Sequence, residues 1–258
     1  MSRLRAKCPV CRAHTAVAVG PDYECHSCGR TFAAGLVRVP GAWGRDGEAL
    51  VESAALPVPY PEAAVIEEDS LSAQSFAVAL ELPERPLVLG GCCCAHIGAV
   101  EALAARYDRI SLLWFDAHGD LNTPETSTTG NEWGMPLRML IDSGAVGVDD
   151  LALIGARNLD PPEEEFIAER GLGLGFEAVD GALHDTVGVY VALDLDAFEE
   201  DEVAAFMPEP GGLRLAEVEE LLVSVRERQS VLGAGLTAML PREENLGPIA
   251  RLTGALGF

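Results

Sequence analysis

The chain has 258 residues, room for one medium α/β domain and a small appendage, since a single hydrophobic core grows to roughly 250 residues before a chain divides. Hydrophobic residues make up 48% and charged residues 23%, which excludes a disordered or fibrous chain. Forty-one acidic against 18 basic residues give a formal charge of -23, a field that repels nucleic acid and anionic membrane surfaces and attracts cations.

The opening Met-Ser-Arg-Leu-Arg-Ala-Lys carries no apolar signal segment, and no run of about 18 apolar residues follows. A cytoplasmic protein without membrane association is expected. Seven cysteines in such a setting point to metal or reactive-thiol chemistry rather than disulfides.

Cys8-Pro-Val-Cys11 and Cys25-His-Ser-Cys28 form two C-x-x-C knuckles around the turn signal Gly20-Pro21-Asp22. Four thiolates close the tetrahedral shell that structural Zn²⁺ prefers, so residues 1–38 are expected to fold as a zinc ribbon around Cys8, Cys11, Cys25 and Cys28. His14 and His26 are left for the surface. Arg3, Arg5, Lys7 and Arg12 leave a nucleic-acid docking role open for the ribbon, against a stabilising one. Residues 39–63, rich in proline and glycine, suit a linker.

From residue 64 to 258 short apolar runs alternate with amphipathic stretches. Strands are predicted at 64–66, 87–89, 110–115, 151–154, 188–195 and 231–236, and helices at 95–106, 136–143, 162–170, 215–228 and 245–252. This is the pattern of a three-layer α/β/α domain with a mostly parallel sheet. The acidic runs at 162–165 and 199–202 read as solvated helix faces.

In such sheets ligands bind beyond the carboxyl ends of strands. Two strands end there in chemistry: Asp116-Ala-His118-Gly-Asp120 follows residues 110–115, and Asp194-Leu-Asp196 closes residues 188–195. Four carboxylates and an imidazole at one crevice are costly to bury unless cations neutralise them. Two divalent ions are the expected solution, and a shell dominated by oxygen suits Mn²⁺.

Gly90-Gly91-Cys92-Cys93, Asp116-Ala117-His118-Gly119-Asp120 and Asp194-Leu195-Asp196, in this order, resemble the signatures of the ureohydrolase (arginase, agmatinase and formiminoglutamase) superfamily. The resemblance runs from about residue 86 onward and is nearest to arginase. It implies an arginase-like fold, a trimer or hexamer, and a binuclear centre in which Asp116 and Asp194 bridge two ions. Asp120 would complete the first site, His118 and Asp196 the second. The implied chemistry is hydrolysis of a linear carbon-nitrogen bond in a small guanidino or formimino compound, with Asp120 carrying a proton to the leaving nitrogen. Asn122, Ser127, Thr129 and Asp160 match the positions that hold an amino-acid end.

Three positions depart from that pattern. Cys93 stands where the first site has a histidine, and a thiolate there shifts the preference toward Zn²⁺ or Fe²⁺. His96 is near enough to substitute, though an ordinary helix-start role is the plainer reading, and Cys92 and Cys94 read as packing residues. Trp133 replaces a histidine that moves protons, and Ala238 replaces the glutamate that grips the guanidinium, leaving Glu132, Glu243 or Glu244 to compensate. These losses support a second expectation, a non-catalytic homologue with a binding or regulatory role.

Overall fold

The computed structural model describes residues 7–8, 10–19, 22–33 and 35–258. Gly20 and Pro21 of the expected turn, and Arg3 and Arg5 of the basic stretch, lie outside these residues. Strands β1 (Ala16–Val19), β2 (Asp22–Cys25) and β3 (Thr31–Ala33) pair antiparallel in that order and form the small ribbon.

The main sheet has eight strands: β4 (Leu36–Val39), β5 (Glu62–Val65), β6 (Leu87–Gly90), β7 (Ile110–Phe115), β8 (Leu151–Ile154), β9 (Gly173–Leu174), β10 (Gly188–Asp194) and β11 (Val231–Thr237). Their spatial order is β5-β4-β6-β11-β10-β7-β8-β9, with every pairing parallel. Helices are α1 (Glu48–Ser53), α2 (Leu71–Glu81), α3 (His96–Arg106), α4 (Pro136–Asp142), α5 (Pro161–Arg170), α6 (Val179–Ala182), α7 (Leu215–Arg228) and α8 (Leu246–Ala255).

Both faces of the sheet are covered, so its central strands read as unbroken apolar runs. In β7, Leu112 and Trp114 pack toward α2, α3, α4 and α5, while Leu113 and Phe115 pack toward α6, α7 and α8. The period of two thus divides one strand between two cores. Between α2 and α3 the fit depends on Gly98, where an added Cβ would run into the Ser75 backbone. Among the described residues no helix is long and apolar enough to cross a membrane.

The three-layer fold follows the sequence reading, but its start does not. β4 pairs with β6 and β5 with β4, so a boundary at residue 38 falls within the main sheet, and residues 39–63 are woven into it rather than linking to it. Four residues carrying two or three apolar side chains give too little periodicity to separate an edge strand from a loop. Helix α2 also went unread: Leu71, Gln74 and Val78 face inward, but Phe76 and Leu80 are 72% and 71% exposed and blur its apolar stripe. Its local signal is Ser70, whose side chain accepts from the Ala73 amide at the N-cap.

The ribbon sits near the starts of the strands, away from the cleft described below. Lys7 Nζ donates to the Phe258 carbonyl at 3.0 Å, and Arg12 Nη1 to that of Gly254 at 3.3 Å. Both cations of the basic stretch among the described residues thus tie the ribbon to the main domain. His14 and His26 are exposed.

Candidate metal centre

After β6 the chain crosses to β7 and on outward to the edge of the sheet, then turns back to fill the gap between β6 and β7 with β11 and β10. The carboxyl ends of these four strands meet in one crevice, the usual ligand position in such sheets. Cys93 follows β6, Asp116 follows β7, Asp194 ends β10, and Ala238 follows β11. A cleft of about 240 Å³ opens there, lined by Cys93, Asp116, His118, Asp120, Asp194 and Asp196 at its floor. Asn122, Ser127, Thr129 and Asp160 line the same cleft. All ten core-site residues singled out in the sequence come together.

Asp116 has its two oxygens directed to different partners. Oδ2 lies 3.8 Å from Cys93 Sγ and accepts from Trp114 Nε1 at 3.1 Å. Oδ1 accepts from the His118 amide at 2.7 Å and lies 3.5 Å from His118 Nδ1, which stands 3.0 Å from Asp196 Oδ2. Cys93 Sγ donates to Asp194 Oδ2 at 2.6 Å, and Asp194 Oδ1 accepts from the Asp196 amide at 2.9 Å. Two ligand groups result, Cys93-Asp116-Asp120 and Asp116-His118-Asp196, each with its donor atoms within 4.8 Å of one another.

These acids are buried with too little to neutralise them. Burial first, then the neighbouring carboxylates, push Asp120 and Asp194 well above the usual carboxylate range, and Asp116 is raised for the same reasons. Burial also drives the Cys93 thiol up, with Asp120, Asp194 and Asp116 adding to it. At His118 burial opposes the charged form, but Asp116 and Asp196 outweigh it and hold the imidazole up to about 12. Asp120 Oδ2 and His118 Nε2 are buried without a hydrogen-bond partner. Buried polar atoms are otherwise almost always paired. An unpaired Asp120 oxygen among repelling carboxylates is what a divalent ion would satisfy, so the donor set fits the expected centre.

His96 does not join it. Its Nδ1 lies 3.0 Å from Tyr190 Oη and its Nε2 3.3 Å from Thr237 Oγ1, and complete burial lowers it to about 3. It is a neutral core histidine. Cys92 and Cys94 are buried in the core as expected, with Cys92 also touching the cleft.

Around the floor, the proposed compensators for Ala238 are elsewhere: Glu132, Glu243 and Glu244 are exposed and absent from the cleft lining. Ala238 itself holds a left-handed φ of 52°, as Asp120 does at 53°. Non-glycine residues rarely adopt this region, and it concentrates at functional positions. Trp133 forms an apolar wall, its indole edge-on to Phe206 at 5.7 Å and laid against Gly44, where any Cβ would collide with it.

Two carboxylates were missed. Glu163, expected on a solvated face, is 3% exposed. Its Oε1 accepts from the Leu121 amide and its Oε2 from the Asp160 amide, both at 2.9 Å, so it closes the capping box of α5 and ties that helix to the loop after Asp120. The spacing Asp160-Pro-Pro-Glu163 was the available signal. Glu209 Oε1 lies 3.7 Å from His118 Nε2 and accepts from Asn158 Nδ2 at 2.7 Å. Nothing local in the sequence marks it.

In the ribbon, Cys8, Cys11, Cys25 and Cys28 converge, with Sγ separations of 3.7 Å for Cys8–Cys28 and 3.5 Å for Cys11–Cys25. A tetrahedron with arms of about 2.3 Å has edges of about 3.8 Å.

Comparison with known proteins agrees with this geometry. An arginase from Staphylococcus aureus (strain MRSA252) is 32% identical over 197 residues, 65% of this chain and 64% of that relative, so the match spans under two thirds of its length. An arginase from Bacillus caldovelox is 30% identical over 220 residues, 75% of this chain and 74% of that protein. The crystal structure of arginase from Bacillus subtilis superposes with a TM-score of 0.76 at 23% identity, covering 86% of this chain and 97% of that one. A formimidoylglutamase structure from the same species gives 0.69 at 16% identity, with 86% and 85% covered. The family model described as the arginase family matches residues 50–255, and the chain belongs to that family.

Proposed function

We propose that this chain is a metal-dependent hydrolase that cleaves a linear carbon-nitrogen bond in a guanidino or formimino compound with an amino-acid end. The observation that carries the reading is the pair of ligand groups sharing Asp116 at the floor of the cleft. Two divalent ions held by Cys93, Asp116, His118, Asp120, Asp194 and Asp196 would supply Lewis acidity and water acidic enough to ionise near neutral pH. Asp120, with Oδ2 free of protein partners, is placed to carry a proton to the leaving nitrogen. Glu209 stands behind His118, where a carboxylate can hold the ring and its tautomer.

Asn122 Nδ2 donates to Asp160 Oδ2 at 2.9 Å, and Ser127 and Thr129 stand beside them on the loop after Asp120. On this reading Asp160 meets the α-amino group, and the amide and hydroxyls meet the α-carboxylate. The cleft suits a ligand of amino-acid size. A cytoplasmic setting belongs to the same reading, since all seven cysteines are free thiols and four of them converge.

The experiment is a screen of guanidino and formimino compounds with amino-acid ends, on protein loaded with Mn²⁺, Zn²⁺ or Fe²⁺, reading urea, formamide or ammonia. Turnover by one such compound is expected. No turnover under any metal would overturn the reading in favour of a binding role.

Ala238→Glu is expected to strengthen binding of guanidino compounds by about 10- to 100-fold, since a charge-assisted hydrogen bond contributes about 1.5–3 kcal/mol. The measurement is KM, or an inhibition constant for a non-reacting guanidinium. An unchanged constant would mean that position 238 does not face the reacting group.

For the ribbon we propose one structural Zn²⁺ on its four cysteines. Cys8→Ser should release one zinc per chain and expose the ribbon to protease, while the main thermal transition persists. Metal analysis alongside limited proteolysis checks this, and retention of the zinc would contradict it.

A further inference from the structure

The two halves of the core site differ in chemistry, and Asp116 divides between them. On one side, Oδ2 of Asp116 faces Cys93 Sγ, with Asp120 in the same group and Asp194 Oδ2 at 2.6 Å from the sulfur. That half offers a thiolate and carboxylates and no imidazole, because His96 is held by Tyr190 and Thr237. On the other side, Oδ1 of Asp116 faces His118 and Asp196, with no sulfur. Thiolate favours Zn²⁺, Co²⁺ or Fe²⁺ over Mn²⁺, whereas carboxylates with one imidazole accept Mn²⁺ readily.

We infer that the core is a mixed-metal centre: a thiophilic divalent ion on the Cys93 side and a harder ion such as Mn²⁺ on the His118 side, joined through the Asp116 carboxylate. The inference rests on the proposed function for the existence of a binuclear centre, and goes beyond it in assigning unlike ions to its halves.

A charge argument points the same way. Five anionic ligands, four carboxylates and one thiolate, surround two dications and leave one negative charge in excess. Electron donation by sulfur weakens the Lewis acidity of the ion it holds, so the more electrophilic position should be the one beside His118 and Glu209. The Cys93 position, walled by Cys92 and the buried start of α3, is then the anchoring one.

The test uses the full chain loaded with ¹¹³Cd²⁺ and observed by cadmium NMR, which separates sites by the number of sulfur ligands. Three resonances are expected: a four-sulfur signal from the ribbon, a one-sulfur signal from the Cys93 side, and an oxygen-nitrogen signal from the His118 side. Protein loaded with two equivalents of Zn²⁺ and an excess of Mn²⁺ should retain, once free ions are removed, two Zn²⁺ and one Mn²⁺ per chain by metal analysis. Cys93→Ser should abolish the one-sulfur signal and lower the Zn²⁺-over-Mn²⁺ preference of that position at least about tenfold. Cys94→Ala should leave all three, and persistence of the His118-side signal in Cys93→Ser reports an intact core.

Core cadmium with no sulfur ligand, or a core that holds two Mn²⁺ under that mixed loading, would overturn the mixed-metal assignment while leaving a binuclear hydrolase standing. Cadmium bound only to the ribbon would overturn both.

Discussion

Asp116→Asn is expected to lower turnover by about 10³-fold or more, because the shared carboxylate belongs to both ligand groups, and disrupting both ions removes several kcal/mol of transition-state stabilisation. Its effect on the metal-free protein has the opposite character. Asparagine keeps an acceptor for the His118 amide or Trp114 Nε1 and removes one of four crowded charges. The metal-free variant should therefore melt no lower than the parent, while the thermal shift on adding metal is largely lost. Melting curves with and without metal, run beside a steady-state assay, separate these effects. A variant that keeps its metal-induced shift and most of its activity would remove Asp116 from the centre.

The second large effect is a reversal of pH dependence when metal is removed. In the metal-free chain Asp116, Asp120 and Asp194 have folded pKa values above their unfolded ones, chiefly from burial. The folded state thus binds more protons than the unfolded state once pH exceeds the ordinary carboxylate value, and stability falls as pH rises through that window. His118 has the same sign at higher pH. Held up to about 12, it keeps its proton in the folded state above the ordinary histidine value of 6.5, so its contribution is full below that value and is lost toward 12. With ions bound, protons compete for the ligands and stability rises with pH instead. At about 1,000 times the dissociation constant an ion contributes about 4 kcal/mol. For a domain of this size that raises the melting temperature by about 10 °C. The gap between loaded and chelated protein should be widest near pH 8 and close toward pH 5. Parallel curves across that range would contradict a carboxylate-bound centre.

What the sequence disclosed and what it hid follow from range. β7, β8 and α7 were legible to the residue because each is an unbroken apolar run or a strong helical stripe. The metal ligands were legible because strand ends place Asp116 to Asp120 and Asp194 to Asp196 in short motifs. Hidden elements lacked a local signature. β4 is an edge-side strand of four residues, β9 has two, and α2 exposes Phe76 and Leu80. Glu209 reaches His118 only because the loop after β10 folds back over the cleft, a contact between residues 91 positions apart. Glu163 is the intermediate case, since its capping box is local but its hydrogen bond to Leu121 spans 42 positions.

The order of strands in the sheet also governs how the protein is made. β10 and β11 occupy the middle, between β6 and β7, yet they are the last strands in the sequence. As the chain leaves the ribosome, β6 and β7 must wait with open edges until residues 188–237 emerge, and such edges invite pairing with other chains. Asp194 and Asp196 arrive with β10, so metal can reach the nascent core only in an incomplete site before then. The ribbon's four cysteines all precede the first strand of the main sheet, so its ligands emerge before those of the core centre. On the proposed metal assignments, zinc capture would precede the main sheet, and completion of the core centre would come with the strands that close it.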